Sequence, residues 1–316
     1  MMTPALVEKL ALPALDWAAA LLQAFLHLAQ GTLCADPAPA APRHLRPGSP
    51  RRFRPGSRMD FPLSASLRAP TRPISLVGFD ADDTLWHSEI HFRAAHAEFE
   101  RILAPYLDLA DSALHDRLLA TEQVNIRLFG YGAKGMTLSM LETAIAMTEA
   151  RISARDLARL LDLGKEVLRH PVELLPDVRS AVETVAASHD IVLITKGDLF
   201  HQEAKIAESG LADLFTRIEI VSEKDPAAYA RVIAECGGAP ERFAMIGNSL
   251  RSDIEPVLAL GGWGVHMPYP VTWALEMVHE VADDDPRVQR IDGPAQIPQA
   301  IARIEALASA SAFSRN

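Results

Sequence analysis

Cysteine is nearly absent from this 316-residue chain, which contains only Cys34 and Cys236. A disulfide framework is therefore excluded, and a reducing compartment is expected, the cytoplasm being the simplest. Positive charge is also short: 31 Lys and Arg against 41 Asp and Glu leave a formal charge of −10. Such a chain is a poor bulk partner for nucleic acid or anionic lipid, so neither is expected. Long clean apolar runs are missing too. The best stretch, roughly residues 10–29, is interrupted by Pro13, Asp16, Gln23 and His27, which makes a poor spanning helix. Glu8 beside Lys9 spoils the basic start of a signal peptide, and no convincing small-x-small cleavage site follows. What is present is globular in composition, 49% hydrophobic and 23% charged, over a length that can bury a sizeable core.

The first 72 residues read differently from the rest. Residues 36–73 carry eight arginines against Asp36 and Asp60, with prolines throughout. A segment with so little to bury is expected to be a disordered or dispensable extension, and Met59 is a credible alternative start. Its basic patch lacks the aromatic interleaving of a nucleic-acid surface.

From Pro73 onward, strand and helix patterns alternate. Ile74–Phe79, Ile191–Thr195, Arg217–Val221 and Phe243–Gly247 are short β-rich apolar runs, and Gly264–Met267 is a weaker fifth. Helical patterns fall at Pro176–Ser188, Leu199–Ser209, Ala227–Cys236 and Asp253–Leu260. This alternation implies an α/β fold: a parallel sheet covered on both faces, a three-layer Rossmann-like sandwich. The interval between the first two strands is far longer than a crossover needs and reads as helix at His91–Leu103, Ala113–Ile126, Leu138–Thr148 and Ala154–Arg169. An inserted helical domain over residues 91–171 is expected, with the core formed by 73–90 and 172–308.

In open α/β sheets, ligands bind beyond the carboxyl ends of the strands. The four clear strands are followed there by Asp80-Ala81-Asp82-Asp83-Thr84, Thr195-Lys196-Gly197-Asp198, Ser222-Glu223-Lys224-Asp225 and Gly247-Asn248-Ser249-Leu250-Arg251-Ser252-Asp253. These residue types suit phosphoryl transfer. An ionised Asp can attack phosphorus, and a second carboxyl two residues on can protonate the leaving oxygen and then activate water. A hard divalent ion such as Mg²⁺ would be held by carboxylate and carbonyl oxygens. A Thr hydroxyl and a Lys ammonium can hold phosphoryl oxygens.

Asp80–Thr84 resembles the DxDx[TV] motif of the haloacid dehalogenase-like (HAD) superfamily. Thr195 resembles its second motif, Lys224 its third, and Gly247–Asp253 its acidic fourth. The resemblance, over about residues 74–270, implies an Asp80 nucleophile, an Asp82 general acid/base, and Thr195 and Lys224 as phosphoryl-binding groups. It also implies Mg²⁺ on Asp80, the Asp82 backbone carbonyl and Asp253, with the inserted helices as a cap of the first class. Asn248 stands where the family usually has Asp, so the site has one charge fewer; its amide oxygen remains a candidate ligand. The expected activity is a Mg²⁺-dependent phosphatase acting on a small phosphorylated metabolite through an aspartyl-phosphate. A phosphomutase, a phosphonatase, or a HAD-fold binding or scaffold protein with weak turnover are the alternatives.

Other features read as structural. Asp83 is expected to serve a turn or helix cap. Gly130–Gly135 spells GxGxxG but stands inside the helical insertion, without the βαβ unit a dinucleotide site needs. It is expected to form a mobile cap loop, with Lys134 reaching toward substrate. His87, Glu89 and His91 have the wrong order for a zinc-protease helix. Trp86 and His87, in the loop after the first strand, are expected to help select substrate, and residues 261–270 to pack and turn. Oligomeric state is not legible.

Overall fold

The computed structural model describes residues 72–108 and 113–313. The expected N-terminal extension and alternative start lie outside these residues. The core is a parallel six-stranded sheet in the order β3-β2-β1-β4-β5-β6. Its strands are β1 (Leu76–Phe79), β2 (Asp190–Lys196), β3 (Arg217–Val221), β4 (Phe243–Gly247), β5 (Trp263–His266) and β6 (Val288–Arg290).

The period-two alternation of strand side chains divides the apolar residues between two faces. Val77 and Phe79 of β1, Ile191 and Leu193 of β2, and Ala244 and Ile246 of β4 enter one core with helices α5 (Val178–Ala186), α6 (Leu199–Ser209) and α9 (Ile297–Phe313). Leu76, Val192, Ile194, Phe243 and Met245 enter the other with α7 (Pro226–Glu235) and α8 (Glu255–Ala259). Burying a side chain of this size contributes about 1.5–3 kcal/mol, so a one-residue register slip would expose whole rows. Gly78 is fixed by the same packing: a Cβ there would meet the Phe243 ring at 2.5 Å.

Between β1 and β2, four helices form their own apolar cluster: α1 (Glu89–Leu103), α2 (Leu114–Phe129), α3 (Ala133–Met147) and α4 (Ala154–Arg169). Phe99, Leu103, Met140 and Leu160 are among its largest fully buried members. The α4 start is capped by Ser153, whose hydroxyl accepts from Asp156 N at 3.1 Å, a contact worth about 1 kcal/mol.

The expected loop over Gly130–Gly135 is shorter than the sequence implied. Gly130 (φ 74°) and Gly132 (φ 106°) make the turn, but α3 begins at Ala133 and contains Gly135. Gly135 packs against the Gly130 carbonyl, which a Cβ would approach to 2.7 Å. The helix expected from Asp253 is preceded by a π-helical turn over Leu250–Ile254, and Glu255–Ala259 is the regular part. Among the described residues, no helix is long and apolar enough to cross a membrane.

Candidate active site

The carboxyl ends of β1, β2, β3 and β4 converge, because their parallel register aligns Phe79 with Leu193 and Ile246, and Thr195 with Ile220. Asp80 extends β1, its N–H bonding the Ile246 carbonyl at 2.9 Å. Its Oδ1 accepts from Lys224 Nζ and its Oδ2 from Thr84 Oγ1 at 3.0 Å. Lys224 Nζ also donates to Asp253 Oδ1 at 2.7 Å. Asp253 Oδ2 accepts from Ser249 N at 3.0 Å. The strand-end glycine permits this: a Cβ on Gly247 would lie 2.2 Å from Asp253 Oδ2. Asp253 does not act as the cap of its turn; Ser249 does, accepting from Ser252 N at 3.0 Å.

Burial lifts the Asp80 carboxyl; Lys224 pulls it back and Asp253 pushes it up again, leaving it at about 7. Lys224 is raised well above the usual lysine range: its two carboxylate partners outweigh the cost of burying its charge. Two buried carboxylates sharing one ammonium form a centre short of positive charge.

Asp82 is held by a separate set of donors. Trp86 Nε1 lies 2.6 Å and Lys205 Nζ 2.5 Å from its Oδ1, and Gln202 Nε2 lies 2.8 Å from its Oδ2. Burial alone would raise its carboxyl, but Lys205 and the three hydrogen bonds outweigh that and hold it below the usual range. Asp83 takes a left-handed conformation (φ 61°) and turns away. Its Oδ1 accepts from Ser88 N at 2.8 Å and Glu89 N at 3.0 Å, which caps α1.

A cavity of about 180 Å³ opens over these groups. Asp80, Asp82, Thr195, Lys224, Asn248 and Asp253 line its core side. Phe92, His96, Glu122, Ile126, Met136 and Ser139, from the inserted helices, line the opposite wall. Thr195 is fully buried at its floor. Asn248 sits at the edge, its N–H donating to Thr84 Oγ1 at 3.1 Å. The Lys134 ammonium lies outside this lining and bonds both Asp198 oxygens at 3.0 Å.

Trp86 does not meet the expectation of a substrate-facing residue: it is 1% exposed and committed to Asp82. His87 lines a smaller cavity with His91 and His170, and its Nδ1 lies 2.6 Å from Tyr269 Oη. The stretch beyond residues 261–270 supplies a rim that was not expected: Val271, Thr272, Trp273 and Glu276 line the main cavity.

Four groups escaped the sequence reading. Thr84 was visible as the last residue of the first motif. Gln202 and Lys205 are buried on α6 together with Ile206 and Ser209; polar residues at helical spacing on a buried face were the available signal. Glu276 lies in an irregular segment and gave none. It accepts from Lys196 Nζ at 2.5 Å and Ser252 Oγ at 2.6 Å. Burial would raise its carboxyl, but Lys196 and the hydroxyl donors bring it down to about 2.

A family model for haloacid dehalogenase-like hydrolases matches residues 74–261. A solved haloacid dehalogenase-like family hydrolase from Xanthomonas campestris is 57% identical, over 75% of this chain and 99% of that one, with a TM-score of 0.70. The chain belongs to the HAD-like hydrolase family. A 2-haloacid dehalogenase from Pseudomonas syringae pv. Tomato is 21% identical over 73% of this chain and 99% of that one (TM-score 0.49). The HAD hydrolase YfnB of Bacillus subtilis, solved with magnesium, is 17% identical over 72% of this chain and 98% of that one (TM-score 0.49). No curated protein matches the chain.

Proposed function

We propose that the protein is a Mg²⁺-dependent phosphatase that hydrolyses a small phosphorylated metabolite through an aspartyl-phosphate on Asp80. The observation that carries this reading is Asp82: a second carboxylate, two residues beyond Asp80, in the wall of the same cavity. Displacing a halide needs no proton donor, whereas expelling an alkoxide from phosphorus does.

Asp80 is the nucleophile in this reading. Asp82 protonates the leaving oxygen and then takes a proton from the attacking water. Thr195 and Lys224 hold the transferring group's oxygens. The inserted helices exclude bulk water and carry substrate selection.

The donor set fits magnesium. Among the described residues, no three His, Cys, Asp or Glu side chains form a ready-made cage. Two carboxylates, Asp80 and Asp253, with the Asp82 carbonyl and the Asn248 amide oxygen, would instead offer hard oxygen ligands. The elevation of Asp80 to about 7, caused first by burial and also by Asp253, indicates a centre that a divalent cation would relieve. When bound, the ion would offset repulsion between an anionic nucleophile and an anionic substrate.

The test is release of nitrophenol from 4-nitrophenyl phosphate, with Mg²⁺ and with chelator, beside Asp80→Asn. Chloride release from 2-chloropropionate is assayed in parallel. Turnover of the phosphate that needs both Mg²⁺ and Asp80 is expected. Metal-independent chloride release with no phosphate turnover would make the protein a dehalogenase instead.

A further inference from the structure

Phosphoryl binding does not call for the donors around Asp82. A carboxylate has about four lone-pair sites. Trp86 Nε1 and Lys205 Nζ both bond Oδ1, whereas Oδ2 receives Gln202 Nε2 alone. One lone pair on Oδ2 is therefore left for the cavity.

All three donors are buried: Trp86 is 1%, Gln202 3% and Lys205 8% exposed. Taking a lysine ammonium out of water costs several kcal/mol unless a counter-charge receives it, and its charge partner here is Asp82. The mounting is rigid. Gln202 and Lys205 are three residues apart on α6, so they share a face. The α6 start is capped by Asp198, which accepts from His201 N at 3.0 Å. The Gln202 amide also donates to the Lys196 carbonyl at 2.8 Å. Gly197 makes that approach possible: it has φ +145°, and a Cβ there would lie 2.7 Å from Gln202 Nε2. Trp86 is held by backbone pairing with both Asp82 and Leu174.

We infer that Lys205 and Gln202 are positioning residues for the acid–base group: they lock the rotation of the Asp82 carboxylate so that Oδ2, and not Oδ1, faces the leaving oxygen. This rests on the phosphatase reading. In the first half-reaction, Asp82 Oδ2 takes the proton of the bound phosphate monoanion; the Asp80 O–P bond forms while the P–O bond to the leaving alcohol breaks, and that proton passes to the departing oxygen. In the second half, the water O–P bond forms while the Asp80 O–P bond breaks, and a water proton returns to Oδ2. The balance is ester plus water to alcohol plus phosphate. A carboxylate free to rotate would offer the proton-bearing oxygen in the wrong direction for part of the time, and poor leaving groups would suffer most.

The experiment compares wild type, Lys205→Met, Lys205→Arg and Gln202→Leu on phenyl, 4-cyanophenyl and 4-nitrophenyl phosphate, which have similar shapes and graded leaving groups. The quantity read is kcat/KM, which reports the first half-reaction. General acid catalysis contributes roughly 10²–10⁴-fold, so partial loss of aim should cost about 10–100-fold on phenyl phosphate and under about 3-fold on the nitrophenyl ester. Lys205→Arg should recover most of the loss. An equal fall across the series, or none, would overturn the inference, because a merely structural role does not discriminate leaving groups. Melting curves accompany each variant; if Lys205→Met does not fold, Gln202→Leu decides by the same criterion. A wild type inert toward all three esters would sink the phosphatase reading and this inference with it, whereas an unchanged slope in an active enzyme would sink this inference alone.

Discussion

Lys224 Nζ lies 2.7 Å from Asp253 Oδ1 while also donating to Asp80, so one buried ammonium joins the ends of β1 and β4. Removing it leaves two carboxylates facing each other without a counter-charge. Breaking a buried pair from one side costs about 3–5 kcal/mol. Lys224→Met should therefore lower the melting temperature markedly and abolish turnover, and adding Asp253→Asn should restore part of the stability. Calorimetry on the single and double variants checks this, and an unchanged melting temperature in Lys224→Met would contradict it.

Asp83 gives a pH-dependent prediction. Burial, and next the neighbouring Asp82, raise its carboxyl from 3.8 to about 7. The folded state then binds more protons than the unfolded state between roughly pH 4 and 7, so this group's contribution makes stability fall as pH rises through that window. An Asn side chain keeps an acceptor for Ser88 N and Glu89 N, tolerates φ 61°, and carries no charge. Asp83→Asn should match wild type near pH 4 and exceed it above pH 7, by on the order of 1–3 kcal/mol. Asp83→Ala carries no charge either but loses the cap, so it should lie about 1 kcal/mol below Asp83→Asn at every pH. Denaturant melts at pH 4.5, 6 and 8 measure both differences.

The legibility of the fold followed from burial. Strands β1, β2 and β4 stand out in sequence because both faces are covered, which forces consecutive apolar residues. Strand β6, Val288–Arg290, is a partly exposed edge of three residues and left no such trace. The α3 start was hidden because Gly135 reads as a loop residue, although it sits inside the helix where the Gly130 carbonyl leaves no room for a Cβ. At the site, residues that strand ends must present were legible. Groups that reach it from elsewhere were not: Glu276 comes from an irregular segment, and Lys205 from mid-helix, where a lysine ordinarily faces water.

Gly247 controls the position of Asp253. A Cβ at Gly247 would fall 2.2 Å from Asp253 Oδ2, so Gly247→Ala must swing that carboxylate away from Ser249 N. Disturbing the support of a metal ligand typically costs 10–100-fold in affinity. If Asp253 holds Mg²⁺, Gly247→Ala should weaken binding by about that factor, as read by isothermal titration with the metal alone. Asn248→Asp, which restores a negative charge at the cavity edge, should tighten it. A Gly247→Ala protein with wild-type metal affinity would remove Asp253 from the ligand set.

The turn between α2 and α3 ties the inserted helices to the core through weak contacts beside Thr195 and Lys224. Tyr131 Oη donates to Glu223 Oε2 at 2.7 Å, beside Lys224. Lys196 Nζ, beside Thr195, lies 4.4 Å from the Tyr131 ring centroid. Lys134 Nζ pairs with Asp198 at 3.0 Å, and the Lys134 side chain is half exposed. Exposed pairs of this kind contribute about 0.2–1 kcal/mol each. Contacts of this size can be broken by thermal motion, which is what a cap admitting substrate and releasing product would need. Tyr131→Phe keeps the ring over Lys196 and loses only the hydroxyl bond, so KM should rise about 2–5-fold with kcat within twofold, the factor that a loss of about 0.5–1 kcal/mol gives. Tyr131→Phe combined with Lys134→Ala should raise KM further and speed hydrogen exchange across residues 130–135. A double variant whose KM and exchange both match wild type would show that these contacts do not hold the cap closed.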